Sequence, residues 1–378
     1  MFAKNIYGEN INEIKQRFAN AIEDGFAPTL AIVFCSITQD RAALVDFFQE
    51  KNIEVFGSTT AGEILDDEVY EHTSVIMLLN IKREHYKIIY QEGADTYNMA
   101  NSLAKKAKTI FANPSMILIS SGLTIDADQI IKGVKDYDEK LELFGGLAGD
   151  DLSMTASYVF SNNFESSNAL LVLVLNGDKI KVQGLATSGW DEIGIEKTIT
   201  KSTGNVVYAI DDEPAVDVFV KFFKFHDNVY DRSEIVAMNF AQYPLQLKNK
   251  TGNVVLRSPL MVDIENKALI FAGALPEGSK VKFSVPPGFD LIEKTAERVS
   301  VLKEKILNPD AVLMFSCKAR HLALGPLTSD EAGKIRSIWD KPLIGFFTYG
   351  EIGTAQKSSC DFHNATCSMV VMEEIEKS

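Results

Sequence analysis

The sequence predicts an α/β protein of two lobes, made of repeated β-α-β modules on mixed sheets plus a mainly antiparallel β segment. Three observations predict it. Short apolar runs of strand length alternate with helical spacing. One pattern of proline, apolar run, small polar pair and glycine turn occurs three times. The stretch 180–285 instead shows alternation and turns. The 378 residues suit two domains, and 46% hydrophobic with 24% charged residues excludes a disordered or fibrous chain.

The leading segment, 1–27, reads as a helix over 10–24. Ile11, Ile14, Phe18 and Ile22 fall at helical spacing, Asn10 and Glu13 form a capping box, and Gly25 ends it. After Pro28 an apolar run at 30–34 stops at Cys35 and Ser36, short enough for a buried strand. A helical stretch with Leu44, Phe47 and Phe48 leads to a second strand at 53–56, then to Gly57-Ser58-Thr59-Thr60-Ala61-Gly62-Glu63-Ile64. The pattern returns with Pro114, a strand at 116–119, Ser120 and Ser121, a helix carrying Ile130 and Ile131, and the turn Gly145-Gly146-Leu147-Ala148-Gly149-Asp150-Asp151. It returns again with Pro309, a strand at 312–315, Ser316 and Cys317, a helix carrying Ile335 and Ile338, and the turn Gly345-Phe346-Phe347-Thr348-Tyr349-Gly350-Glu351-Ile352. An apolar strand follows each turn, at 74–79, 169–175 and 366–372. The first and third turns share G-x-x-T-x-G-E-I. Between the second and third modules, alternating runs at 254–256 and 268–271 and turns at 251–253 and 276–278 read as antiparallel strands. No Gly/Ser linker is present, so the lobes are expected to pack closely, with a division at 222–232.

Lysine and arginine number 38 against 52 acidic residues, a formal charge of -14, which opposes attraction to nucleic acid or anionic lipid. No run approaches roughly 18 apolar residues, and residues 1–16 lack the regions of a secretory signal. A cytoplasmic protein without membrane insertion is expected. Four cysteines read as thiols rather than a disulfide framework.

The carboxyl ends of parallel strands open onto the crevice where α/β sheets bind ligands. Cys35/Ser36, Ser120/Ser121 and Ser316/Cys317 are expected to gather there, beside the glycine turns. Thr60, Glu63, Thr348 and Glu351 offer hydroxyls and carboxylates to a ligand amine or guanidinium, or else satisfy backbone N–H groups of a neighbouring turn. The second turn offers Asp150 and Asp151. Arg320 suits a two-pronged contact with a ligand carboxylate, or pairs at the surface with Asp330 or Glu331. Cys360-x-x-His363-x-x-x-Cys367 supplies three soft donors, one short of a structural zinc site. For haem, His72, His85, His226, His321 and His363 are candidate axial ligands, with no C-x-x-C-H motif. Phosphate-loop patterns and a G-x-S-x-G elbow are absent, leaving a thiolate at Cys35 or Cys317 as the enzymatic alternative. Trp190 and Tyr349 are candidates to wall an apolar pocket, or core aromatics.

Further motifs join these: S-G-W-D-E-I-G at 188–194, D-E-P-A-V-D-V-F at 212–219, Y-P-L at 243–245, F-S-C-K-A-R at 315–320 and F-H-N-A-T at 362–366. With V-F-G-S-T-T-A-G-E-I at 55–64, L-F-G-G-L-A-G-D-D at 143–151 and G-F-F-T-Y-G-E-I at 345–352, the series resembles the FIST proteins, a sensory family, over nearly the whole chain. The resemblance implies an N-terminal FIST domain at 28–222, a C-terminal one at 223–372 and the leading helix packed on the first. It implies a non-enzymatic, prokaryotic signal-input protein that binds an amino acid or related metabolite. Cys317, Arg320, Thr348, Tyr349, Glu351, His363 and Asn364 fall at matching positions and join the expected ligand contacts. No cofactor is expected; the alternative is haem, because some relatives look like haem-binding nitric-oxide sensors. With no output segment recognised, the signal is expected to pass to a separate histidine kinase, cyclic-di-GMP enzyme or chemoreceptor-type partner.

Overall fold

The computed structural model describes residues 1–225, 239–249, 252–286, 288, 290–355 and 359–375. Three parallel strand pairs organise it: Leu30–Cys35 with Glu54–Thr59, Pro114–Ser120 with Glu142–Leu147, and Ala311–Cys317 with Leu343–Thr348. Their continuous apolar sequence reflects burial on both faces. Beside the first strand of each pair lies the antiparallel strand that follows in sequence, Ser74–Asn80, Ala169–Asn176 or Cys367–Glu374. An edge strand completes that side, Phe2–Gly8, Tyr86–Glu92 or Ile180–Thr187. Three six-stranded mixed sheets of like order result.

Two of these strands depart from the sequence reading. Phe2–Gly8 precedes the leading helix, which runs Ile11–Ile22 with the Asn10 side chain accepting from the Asn12 and Glu13 amides (3.1 and 3.2 Å). Ile180–Thr187 pairs residue for residue with Cys367–Glu374 and so belongs to the third sheet, not to the antiparallel segment. Period-two alternation reveals a strand but not the sheet that receives it.

The other flank of each sheet is filled by exchange. The hairpin Glu63–Leu65/Glu68–Tyr70 of the first unit joins the third sheet, along Leu343–Thr348. The third unit's hairpin, Glu351–Thr354/Cys360–His363, joins the second sheet along Glu142–Leu147. The second unit's hairpin, Val159–Ser161/Phe164–Ser166, joins the first along Glu54–Thr59. The exchanges close a ring. Inner sheet faces share one core, where the rings of Phe34, Phe315 and Phe346 lie 4.6 to 6.3 Å apart. Two helices cover each outer face: Ile11–Ile22 with Arg41–Glu50, Thr96–Ile110 with Ala127–Tyr137, and Leu291–Ser300 with Thr328–Arg336.

The third unit is interrupted after Thr187 by an inserted antiparallel body, a curled eight-stranded sheet packed on the helix Ala215–Phe223, before the chain returns at Leu291. The expected lobe division at 222–232 runs into residues 226–232, outside the described residues. Among the described residues no helix is long and apolar enough to cross a membrane.

Candidate ligand site

The three glycine turns meet where the hairpins change sheets, and the same pair of backbone bonds forms at each joint. Ala61 N donates to Phe347 O (3.0 Å) and Phe347 N to Gly62 O (2.8 Å). Tyr349 N donates to Leu147 O (3.1 Å) and Leu147 N to Gly350 O (2.9 Å). Gly149 N donates to Thr59 O (3.1 Å) and Thr59 N to Tyr158 O (2.9 Å). The second turn thus carries an additional loop, 150–157, where the others run straight on.

Register also puts Ala148 and Val159 where the first turn has Thr60 and Glu63 and the third has Thr348 and Glu351. In the first and third turns the threonine hydroxyl donates to the glutamate Oε1. Glu63 is then fully engaged, its Oε2 accepting from Thr73 N (3.2 Å) and Oγ1 (3.0 Å). Burial pushes its carboxyl up to about 8. Glu351 is left incomplete. Thr366, the counterpart of Thr73, turns its hydroxyl to Asn364 O (2.9 Å), and Glu351 Oε2 makes no full hydrogen bond. Burial holds this carboxyl well above the usual carboxylate range, opposed by the Thr348 hydroxyl, the Cys317 thiol and the Thr366 N–H.

A cavity of about 370 Å³ opens beside this third turn. Cys317, Lys318, Ala319 and Leu322 bring it the end of Ala311–Cys317 and the start of the helix Lys318–Leu324, and Thr348, Tyr349 and Asn364 complete the ring's contribution. Leu152, Ser153 and Met154 form one wall from the additional loop; residues 258–262, with Ala241 and Ala272, face them from the inserted body. Asp150 shapes the loop, accepting from Ser153 Oγ (2.8 Å), Thr155 N (2.7 Å), Ala156 N (3.1 Å) and the Tyr349 hydroxyl. Arg257 ties the inserted body down, donating to Phe362 O (3.0 Å) and to Asp128 (3.0 Å).

Polar groups in this wall lack partners. Asn364 is wholly buried, and neither its amide oxygen nor its nitrogen is hydrogen-bonded; the Ser258 hydroxyl is likewise buried and unbonded. Lys318 Nζ lies 2.9 Å from His321 Nδ1, and burial lowers the lysine pKa. His321 stacks on Phe347 at 4.2 Å and is pushed down to about 4 by burial. Burial raises the Cys317 thiol pKa, keeping it neutral.

Of the expected residues, Cys317, Thr348, Tyr349 and Asn364 line the cavity, with Glu351 bonded behind Thr348. The other strand ends do not line it. Burial raises the Cys35 pKa, Ser36 donates to Asp151 Oδ2 (2.5 Å), Ser120 Oγ is unbonded, and Ser121 Oγ accepts from Ala169 N (3.1 Å). Thr60, Glu63 and Asp150 serve the turns themselves. Arg320 does pair with Glu331, but both are wholly buried rather than at the surface; the guanidinium also donates to Ser188 O (2.6 Å) and Thr295 Oγ1 (2.6 Å). His363 Nε2 lies 3.1 Å from Gly353 O, and burial pushes its pKa down to about 4. No metal-holding group that would include Cys360, His363 and Cys367 forms among the described residues. His72 lies 3.6 Å from Asp151 and His85 3.3 Å from Glu374; His226 is outside the described residues. No described histidine is among the residues that line the cavity. Trp190 packs with Leu256 and Leu291 and is not among the cavity-lining residues. Sequence reasoning missed Lys318, Ser258 and the 152–154 wall. Lys318 could have been flagged by its place in F-S-C-K-A-R, whereas Ser258 carries no local signal.

Comparison with known families agrees with the motifs. The FIST N domain matches residues 29–213 and the FIST C domain residues 215–354. The chain belongs to the FIST family. FIST domains are associated with signal transduction and small-ligand sensing. The boundary between the matched regions falls inside the inserted body, so the cavity of this FIST chain takes its 152–154 wall from the first region and its other lining residues, Asn364 excepted, from the second; Asn364 lies beyond both matches. An uncharacterised protein of Methanocaldococcus jannaschii is 23% identical over 279 residues, covering 67% of this chain and 53% of the relative. The chain therefore spans about half the length of that curated relative.

Proposed function

We propose that this FIST protein is a signal-input module: an amino acid or related metabolite enters the cavity beside the third turn, and a separate partner protein reads the change. Asn364 carries the reading. A buried polar group without a partner costs about 1–3 kcal/mol, which a ligand recovers by supplying the missing hydrogen bonds. An occupant would touch both the ring and the inserted body, and so favour one arrangement of the two; only such differential contact shifts a conformational equilibrium. The protonated Cys317 thiol is a poor nucleophile, which supports sensing over catalysis. The partner classes are a histidine kinase, a cyclic-di-GMP enzyme or a chemoreceptor-type output.

A thermal-shift screen against amino acids, small carboxylates and haemin tests the reading on wild type and Asn364→Leu. A metabolite is expected to raise the wild-type Tm, because ligand bound to the native state alone stabilises it. Asn364→Leu is expected to lose that response while unfolding at an equal or higher temperature without ligand, since it removes an unbonded polar group. A full response in the variant would remove this cavity as the site. A response to haemin alone, with a Soret band, would make haem the ligand instead.

A further inference from the structure

We infer that the cavity is built for a small apolar carboxylate without an ammonium group, such as a 2-oxo or 2-hydroxy acid with a hydrocarbon tail, in preference to the amino acid of the same skeleton. The inference rests on the cavity being the ligand site and narrows the ligand class. Lys318 is the one charged side chain among the described cavity-lining residues. Its Nζ is steadied by His321 Nδ1 at 2.9 Å, and the imidazole is held flat against Phe347. Its ion-pair partner, Glu71, is 3.7 Å away with a side chain 58% exposed, so solvent screens that pair. Lys318 is thus a positioned cation in a largely desolvated wall. A ligand carboxylate is the group that completes it.

An ammonium finds no such counterpart. The nearby acids are engaged and none lines the cavity: Glu71 pairs with Lys318 at 3.7 Å, Asp150 is bonded to Ser153, Thr155, Ala156 and Tyr349, Asp151 accepts from Ser36, and Glu351 is bonded behind Thr348. Burial also favours the neutral form of Glu351. The Asn364 oxygen can satisfy one N–H of three, leaving a second positive charge in the same wall as Lys318. A ligand oxo group, by contrast, accepts from the Asn364 nitrogen, and a hydroxyl can use both amide atoms. An unpaired buried charge costs more than an unpaired neutral group, so the wall discriminates against the zwitterion. Leu152, Met154, Leu260, Met261, Val262 and Leu322 take the hydrocarbon tail, and about 370 Å³ is a usual size for a small-molecule site.

Titration calorimetry on the full chain with matched pairs decides the matter: 4-methyl-2-oxopentanoate against leucine, and phenylpyruvate against phenylalanine. The oxo acid is expected to bind about tenfold tighter or more in at least one pair, and Lys318→Met to weaken it about tenfold. A ligand-side control requires no variant: 4-methylpentanoate should bind wild type about tenfold tighter than 4-methylpentanamide. Amino acids binding as tightly as the oxo acids in both pairs, or an amide matching its acid, would overturn the inference. If the amino acids bind and Asn364→Leu abolishes their binding, the cavity reading survives and only the inference falls. Binding by none of the four also overturns the inference, and the metabolite screen then decides the cavity reading separately.

Discussion

Glu63 and Glu351 stand at the same place in two turns and differ in what the next strand offers them. Thr73 gives Glu63 both its amide and its hydroxyl, whereas Thr366 turns its hydroxyl away from Glu351. The recurring G-x-x-T-x-G-E-I was legible in sequence, and so were its two readings, ligand contact or turn support. The choice was not legible, because it depends on a hydroxyl rotamer ten or more residues downstream. Arg320 repeats the lesson: its partner Glu331 was nameable, but full burial of both was not. Glu63 carries a pH prediction. Its carboxyl sits near 4.5 when unfolded and about 8 when folded, so between those values the native state keeps a proton that the unfolded chain has lost. Its contribution is full below about pH 4.5 and is lost as pH rises through 8, at up to about 1.4 kcal/mol per pH unit. Glu63→Gln removes this slope. In urea unfolding, the variant is expected to gain on wild type steadily from pH 5 to pH 8; a constant difference across that window would refute the assignment.

At the scale of elements, strands, helices and turns followed from apolar spacing, while the sheets that receive the hairpins did not. A hairpin edge presents backbone N–H and C=O groups that any strand can pair, so its partner is chosen by tertiary position rather than by local sequence. The second turn was harder still, since the 150–157 loop separates Gly149 from Tyr158 and hides the match to the other two. Close packing at this joint gives a test. Gly145 has a φ of +146°, and a Cβ there would overlap the Leu118 carbonyl oxygen in the adjacent parallel strand. Gly145→Ala should cost about 3 kcal/mol or more by urea unfolding. Gly204, also at positive φ but with nothing within 4 Å of the added atom, should lose only about 1–2 kcal/mol on the same change. Equal losses at the two positions would show that the joint is looser than this packing implies.

Across the whole molecule, the two matched FIST regions share sheets and cannot be separated at their sequence boundary. The hairpin at 63–70 needs Leu343–Thr348, the second sheet needs Glu351–Thr354, and Ile180–Thr187 needs Cys367–Glu374. Fragments 1–213 and 214–378 are therefore each expected to lack a cooperative unfolding transition alone and to recover one when refolded together. Independent cooperative unfolding of either fragment would contradict the shared-sheet architecture. Sequence recurrence pointed to three units and one unlike segment, but a two-lobed division drawn along the chain could not anticipate sheets assembled across it.

Severed in thought at the connections between units, the ring becomes three chains, each lending a hairpin to one neighbour and receiving one from the other. That is the topology of a domain-swapped trimer. Three identical chains would be bound to present three equal pockets, whereas covalent tethering holds the units together without requiring them to match. One joint has a saturated acid, one an apolar pair, and one an incomplete acid beside an unbonded amide. With the cavity as the proposed ligand site, the expected stoichiometry is one ligand per ring, and titration should give a simple hyperbolic isotherm in place of a cooperative one.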